Sequence, residues 1–294
     1  MADRLRDRLE GIFRRNEITP NTAAAEIEEI NSRIQSVSAS IDSLNSALEA
    51  LGIGAEDLAP GEFEVGFLIP REAVDNELEQ LGKEFEELDA ILGPFMELTG
   101  QGRPDLQVRS ISSSGFQLFL AALPDRALTM SKIVESLLSS YERIKRLREK
   151  AAGLEDEEVP DELIERLKIH ANERMEIDIN ALTNELVGQA TARLPEGRPN
   201  ELRVEVKRSL RRLANRIDEG YSIEVRSFSP PEDEDEEAPE GVTEDVVEAA
   251  RAITERQPRM RTMNLTGRPI LELSEGDDDD EAAGPDKDSS SSAE

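Results

Sequence analysis

The sequence predicts an α+β fold that is predominantly α-helical, and three observations carry that reading. Aliphatic residues recur at alternating steps of three and four along several stretches, while short runs elsewhere are strand-like. Aromatic residues make up only 3% of the chain and tryptophan is absent, so the core must be aliphatic, as helix packing permits. A stripe of two positions in seven is narrower than the apolar face of an ordinary globular helix and suits contact with another long helix. The expected architecture is therefore long heptad-patterned helices packed with a small β element, followed by an acidic disordered linker and C-terminal tail.

Residues 1–52 read as N-terminal helices, with Leu5, Leu9, Ile12 and Phe13 on one side of the first. Thr19 can cap the next helix and Pro20 fits its first turn. That helix carries the clearest signal in the chain: Ile27, Ile30, Ile34, Val37, Ile41, Leu44, Leu48 and Leu51 form an unbroken a/d seam. Its flanks (Glu26, Asn31, Arg33, Ser38, Ser40, Asn45 and Ala47) offer few charge pairs and let neighbouring helices approach closely. Packing within the chain is favoured over a free-standing oligomeric coil on that ground. β-Branched residues at both a and d in the first half disfavour a parallel dimer and favour three or four helices in any assembly.

Residues 53–153 read as a strand–helix–strand–helix module packing with 20–51. FEVGFLI at 63–69 has strand composition. A second seam follows at Val74, Leu78, Leu81, Phe85, Leu88, Leu92 and Phe95, with Pro94 expected to kink or end the helix. DLQVRSIS at 105–112 alternates imperfectly and reads as a second strand, and an apolar patch at 116–123 is too short to span a bilayer. A third long helix, from about Asp125 to Ala152, has Met130, Val134, Leu137, Tyr141 and Ile144 as its seam. Arg143, Lys145, Arg146, Arg148 and Lys150 fall on its outer faces.

Residues 160–229 form a second helical region. One helix runs from Asp161 to about Leu194, and Gly197-Arg198-Pro199 turns into a basic amphipathic helix at 201–219 marked by Leu202, Val206, Leu210, Leu213 and Ile217. A strand at 202–206 is the competing reading, because those residues also alternate. Ser222–Phe228 reads as a strand. Residues 230–241 are an acidic linker, 242–273 a short helix and a hairpin about Gly267-Arg268-Pro269, and 274–294 an acidic, serine-rich disordered tail.

Charge bounds the partners. The chain of 294 residues has a formal net charge of −30, from 65 acidic and 35 basic residues. Half of that excess lies in 232–240 and 275–294, and the remaining body is moderately acidic. Phosphate backbones and anionic bilayers both call for basic surfaces, so nucleic acid is disfavoured and no membrane is expected. The absence of cysteine removes thiolate chemistry and disulfides, and with the charged N-terminus it fits a cytoplasmic site.

No motif points to catalysis. His170 is the single histidine and reads as a surface residue, so neither a histidine-based triad nor a two-imidazole metal site can be assembled within one chain. No GxxxxGK[ST] or strand-following GxGxxG string is present, and no cofactor or metal site is expected. The leading function is a non-enzymatic scaffold acting through coiled-coil-like helix packing, with a protein partner or self-association through the first seam and Leu78, Leu81, Phe85 and Leu88 of the second. The alternative is a regulatory module whose basic residues Arg203, Lys207, Arg208, Arg211, Arg212 and Arg216 contact nucleic acid or an acidic partner and are masked by the acidic segments. A carboxylate- or metal-dependent enzyme is the third reading.

Overall fold

The computed structural model describes residues 9, 11–15, 19–50, 58–100, 102–112, 116–156, 161–231, 238–260, 265 and 267–274. These fall in two compact units, Met1–Asp57 and Leu58–Glu294. The start of the first helix, Leu51, the acidic run at 232–237 and the tail from 275 lie outside the described residues.

In the first unit, helical residues 11–15 precede helix α1, Pro20–Ala50. The Thr19 carbonyl accepts the amides of Thr22 (3.0 Å) and Ala23 (3.2 Å), which opens α1 at the expected place. Ile12, Ala23 and Ile30 bury one another, with Leu9 and Ile27 half-buried against them. Arg15 Nη2 donates to Glu26 Oε2 at 3.2 Å. Farther along the stripe, Ile34, Val37 and Leu44 are 50%, 54% and 58% exposed. The expected burial is thus met at Ile30 and partly at Ile27, and not at these three.

The second unit sets helices against a four-stranded antiparallel sheet; strands were expected at 63–69, 105–112 and 222–228, and a fourth, at 116–122, was not. The strands are β1 (Phe63–Ile69), β2 (Val108–Ser112), β3 (Phe116–Ala122) and β4 (Ser222–Ser227), in the order β2-β3-β1-β4. Strand β3 is the patch read only as apolar. Its burial alternates, with Leu118 and Leu120 inward, but the outward positions carry Phe119 and Ala121, so residue type does not mark the period. Phe63, Val65, Phe67 and Ile69 of β1 face the core together with Leu118, Leu120, Ile223 and Val225. On the other face Gly66 sits opposite Phe119, whose ring occupies the space a side chain at 66 would need: an added Cβ would lie 2.5 Å from it. Arg226 stacks over that ring at 5.4 Å. Strand β2, at one edge, has an irregular register between Val108 and Ser110.

The helices are α2 (Leu78–Glu97), α3 (Pro124–Asp156), α4 (Asp161–Ala190), α5 (Arg198–Asp218) and α6 (Glu244–Met260). Helix α2 packs on α5, α5 on α4, α4 on α3, and α3 on both α6 and the sheet. Leu202, Val206, Leu210, Leu213 and Ile217 are all buried along α5. That spacing is helical, so burial along one stripe decides 202–206 against a strand. Pro94 falls in the last turn of α2, which continues to Glu97. The second seam is buried at Val74, Leu88, Leu92 and Phe95 and half-buried at Leu81 and Phe85, but Leu78 opens α2 with 87% of its surface exposed. Where a hairpin was expected, residues 265 and 267–274 carry no strand; they form an irregular arm with Ile270, Leu271 and Leu273 buried.

Candidate functional site

The most constrained constellation in the described structure is built on Asp218, which is 0% exposed. It is the last residue of α5, ahead of a turn at Gly220 (φ +101°) that leads into β4. A carboxylate at a helix C-terminus meets the negative end of the helix dipole and needs a compensating cation. Arg148 of α3 supplies it. Its Nη1 donates to Asp218 Oδ1 at 2.8 Å and also to the Asp218 carbonyl, one of the groups the helix end leaves without a partner. Tyr141, two turns earlier on the same face of α3, donates its hydroxyl to Oδ1 and accepts from Arg148 Nη1 at 2.9 Å. Burial, then the charge and hydrogen bond of Asp218, hold the Tyr141 phenol well above its ordinary range, so it stays a donor.

The other carboxylate oxygen faces the arm. Asp218 Oδ2 accepts the amides of Ile270 and Leu271, each at 2.6 Å. Arg148 Nη2 donates to the Gly267 carbonyl at 2.6 Å. Two asparagines complete the cradle. Asn172 of α4 accepts the Glu272 amide at 2.8 Å and donates to the Ile270 carbonyl at 3.5 Å. Asn215 of α5 both accepts from the Leu273 amide and donates to its carbonyl, each at 3.2 Å. With four donors on its carboxylate, Asp218 acts as an anchor. Arg148 is buried here, a correction to its expected place on an outer face of α3. Nothing in the local pattern singles these residues out: Asp218 is one of 65 acids, and Asn172 and Asn215 match no spacing rule.

The basic residues of α5 are drawn into the bundle. Arg211 reaches Glu176 of α4 through Nε at 2.6 Å and Nη2 at 3.1 Å. Arg216 grips Glu84 of α2 through two bonds of 3.0 Å, and Arg212 lies 3.3 Å from Glu87. Arg203 donates to Asn200 Oδ1 at 3.1 Å. Lys207 and Arg208 are half-buried on the same helix. At its N-terminus, Arg198 donates to both oxygens of Glu97 at 2.5 and 2.8 Å, and Arg103 adds a bond to Glu97 at 2.8 Å. These hydrogen bonds, Arg198 first, hold the Glu97 carboxyl down at about 2 against the effect of its burial.

Of the first seam, Ile27 and Ile30 bury against Ile12, while Ile34, Val37 and Leu44 are open; the side chains of Ile41 and Leu48 lie outside the described atoms, as does Leu51. His170 is exposed on α4. A groove of about 160 Å³ runs between α2 and the β2–β3 edge, lined by Phe85, Leu88, Leu92, Val108, Ile111 and Leu118 among others. Among the described residues, no group of three or more His, Cys, Asp or Glu is placed to hold a metal ion, and no helix is long and apolar enough to cross a membrane.

Comparison with protein-family models, with curated proteins and with solved structures finds no match to this chain.

Proposed function

We propose that this chain is a non-enzymatic interaction protein, cytoplasmic, that associates with further copies of itself in a coiled-coil-like assembly through the open stripe of α1. One observation carries the reading: Ile34, Val37 and Leu44 lie in water at coiled-coil spacing on a helix of 31 residues. Covering the exposed part of each contributes about 1 kcal/mol per side chain. Charge supports a second copy as the occupant. Between residues 31 and 47 the only charged residues are Arg33 and Asp42, which cancel, although the chain as a whole carries −30. Two copies therefore meet along this helix without the like-charge repulsion that the rest of the chain brings. Ile34 and Val37, β-branched residues at successive core positions of the open part, favour three or four helices over two. The ion pairs of Arg211, Arg212 and Arg216 with acids of α2 and α4 weigh against the nucleic-acid alternative, because paired guanidiniums give up part of the charge a phosphate backbone would use.

Light scattering on the full chain after size exclusion tests this. The expected result is a trimer or tetramer that I34E/L44E converts to monomer with unchanged far-UV circular dichroism. A monomeric wild-type chain, or an oligomer that the double substitution leaves intact, sinks the proposal.

A further inference from the structure

The arm 267–273 is held as a protein holds a peptide. Segments of a protein core ordinarily satisfy their main chain in helices or sheets. This one lies in neither, and the amides of its four consecutive residues 270–273 all go to side chains: Ile270 and Leu271 to Asp218, Glu272 to Asn172, and Leu273 to Asn215. The side chains that read it come from α3, α4 and α5, elements already packed on one another. Main-chain hydrogen bonds with pockets for selected side chains are the logic of peptide recognition. Here Ile270, Leu271 and Leu273 enter the body while Glu272 stays out, met by Lys168 at 3.0 Å.

The first position is selective as well. Gly267 has φ +83°, and a Cβ there would sit 2.6 Å from the Cβ of Ala152 on α3. Its carbonyl is the one Arg148 takes. Only glycine fits, for both steric and conformational reasons. Arg268 and Pro269 stand exposed between this anchor and the buried pair.

We infer that the cleft formed by Arg148, Asn172, Asn215 and Asp218 is a binding site for a peptide of pattern Gly-Arg-Pro-Ile-Leu-x-Leu. It is filled in cis by the chain's own residues 267–273 and exchangeable with the same segment of a second copy. The occupant fits by construction, since the sequence read is the chain's own. Exchange asks only that one arm leave and an identical one enter, which is the low-cost route to swapped assemblies. The inference does not rest on association through α1.

Two experiments test it. In the first, a protease site is inserted between Met260 and Leu265 of the full chain, the folded protein is cut, and a fluorescent peptide of residues 265–274 is added. The expected result is a rise in anisotropy, reversed by unlabelled peptide, with helical circular dichroism retained. A peptide carrying G267A should compete at least ~10-fold more weakly. No binding to the cut, folded protein overturns the inference, and so does loss of helical signal as the fragment leaves, since the arm is then an inseparable part of the core. The second experiment addresses the second copy. D218N, with a weakened cleft and an intact arm, is mixed with L271D, with an intact cleft and a weakened arm, both carrying I34E/L44E so that α1 contributes nothing. Heterodimers in native mass spectrometry, absent when both copies carry D218N, are expected. Their absence from the mixture removes the second copy as occupant while leaving the α1 proposal untouched.

Discussion

Asp218→Asn is the most informative single substitution, because one carboxylate joins α3, α5 and the arm. It is 0% exposed and accepts from Tyr141, Arg148, Ile270 and Leu271. Replacing it with a carboxamide leaves the Arg148 guanidinium, whose side chain is 6% exposed, as an uncompensated buried charge. Breaking a buried pair in this way costs about 3–5 kcal/mol. The new NH₂ must also face either the Tyr141–Arg148 pair or the two arm amides, all of them donors, and an unsatisfied buried donor costs about 1–3 kcal/mol. Part of this overlaps with the ion-pair loss, so the expected total is about 4 kcal/mol, a large share of a stability of about 5–15 kcal/mol. Arg148→Met should cost a similar amount, since it leaves the buried Asp218 carboxylate without its cation, and Tyr141→Phe, which removes one donor, about 1 kcal/mol. D218N/R148M should cost less than the two singles added, with a coupling of at least about 2 kcal/mol. Urea unfolding followed by far-UV circular dichroism reads all four variants. A loss below about 1 kcal/mol for D218N, or strictly additive singles, would refute the argument, because either result means the carboxylate and guanidinium do not depend on each other.

Three further predictions follow from named contacts. Glu97 titrates at about 2 when folded, below its unfolded value, so its contribution is complete above about pH 5 and lost as pH falls toward about 2. Because Arg103 is 43% exposed and solvent screens the cluster, E97Q should cost only about 1–2 kcal/mol at pH 7, and the gap between wild type and variant in urea titrations should close on acidification. Gly66→Ala pushes a methyl into the Phe119 ring and should cost about 1–3 kcal/mol in thermal melts; Phe119→Leu in the same chain should return part of that loss. Leu78→Gln should change stability by less than about 0.5 kcal/mol, whereas Leu88→Ala, ten residues along the same seam, should cost about 2–5 kcal/mol in urea unfolding.

Much of the helical skeleton could be read from spacing, because a buried stripe forces the same step of three and four that a helix makes in space. Leu202 to Ile217 is the cleanest case: the apolar period settled the helix, although the alternation of LRVEV also allowed a strand. The same rule misled at Leu78, an exposed step between buried Val74 and half-buried Leu81, and it promised cover for Ile34, Val37 and Leu44 that these residues do not have. Strand β3 escaped because Phe119 and Ala121 stand at its outward positions, so burial alternates along Phe116–Ala122 while residue type does not. The Asp218 cradle was illegible for a different reason. Its recognition is of main chain by side chain, so the arm's amides leave no trace in residue identity. Gly267 was noticed as turn chemistry, but its contact with Ala152 exists only once α3 and the arm meet. Arg148 was grouped with its exposed basic neighbours, since nothing local distinguishes a guanidinium that reaches a helix end 70 residues away.

The irregular register of β2 bears on how the molecule behaves when crowded. A flat outer strand carrying Val108 and Ile111 in the open would invite another chain to add to the sheet. The break between Val108 and Ser110 disturbs the hydrogen-bonding rim, and Arg109, tied to Glu62 at 2.6 Å, sets a charge in the middle of it. An incoming strand would meet an irregular, charged border, which works against growth of the sheet from one molecule to the next.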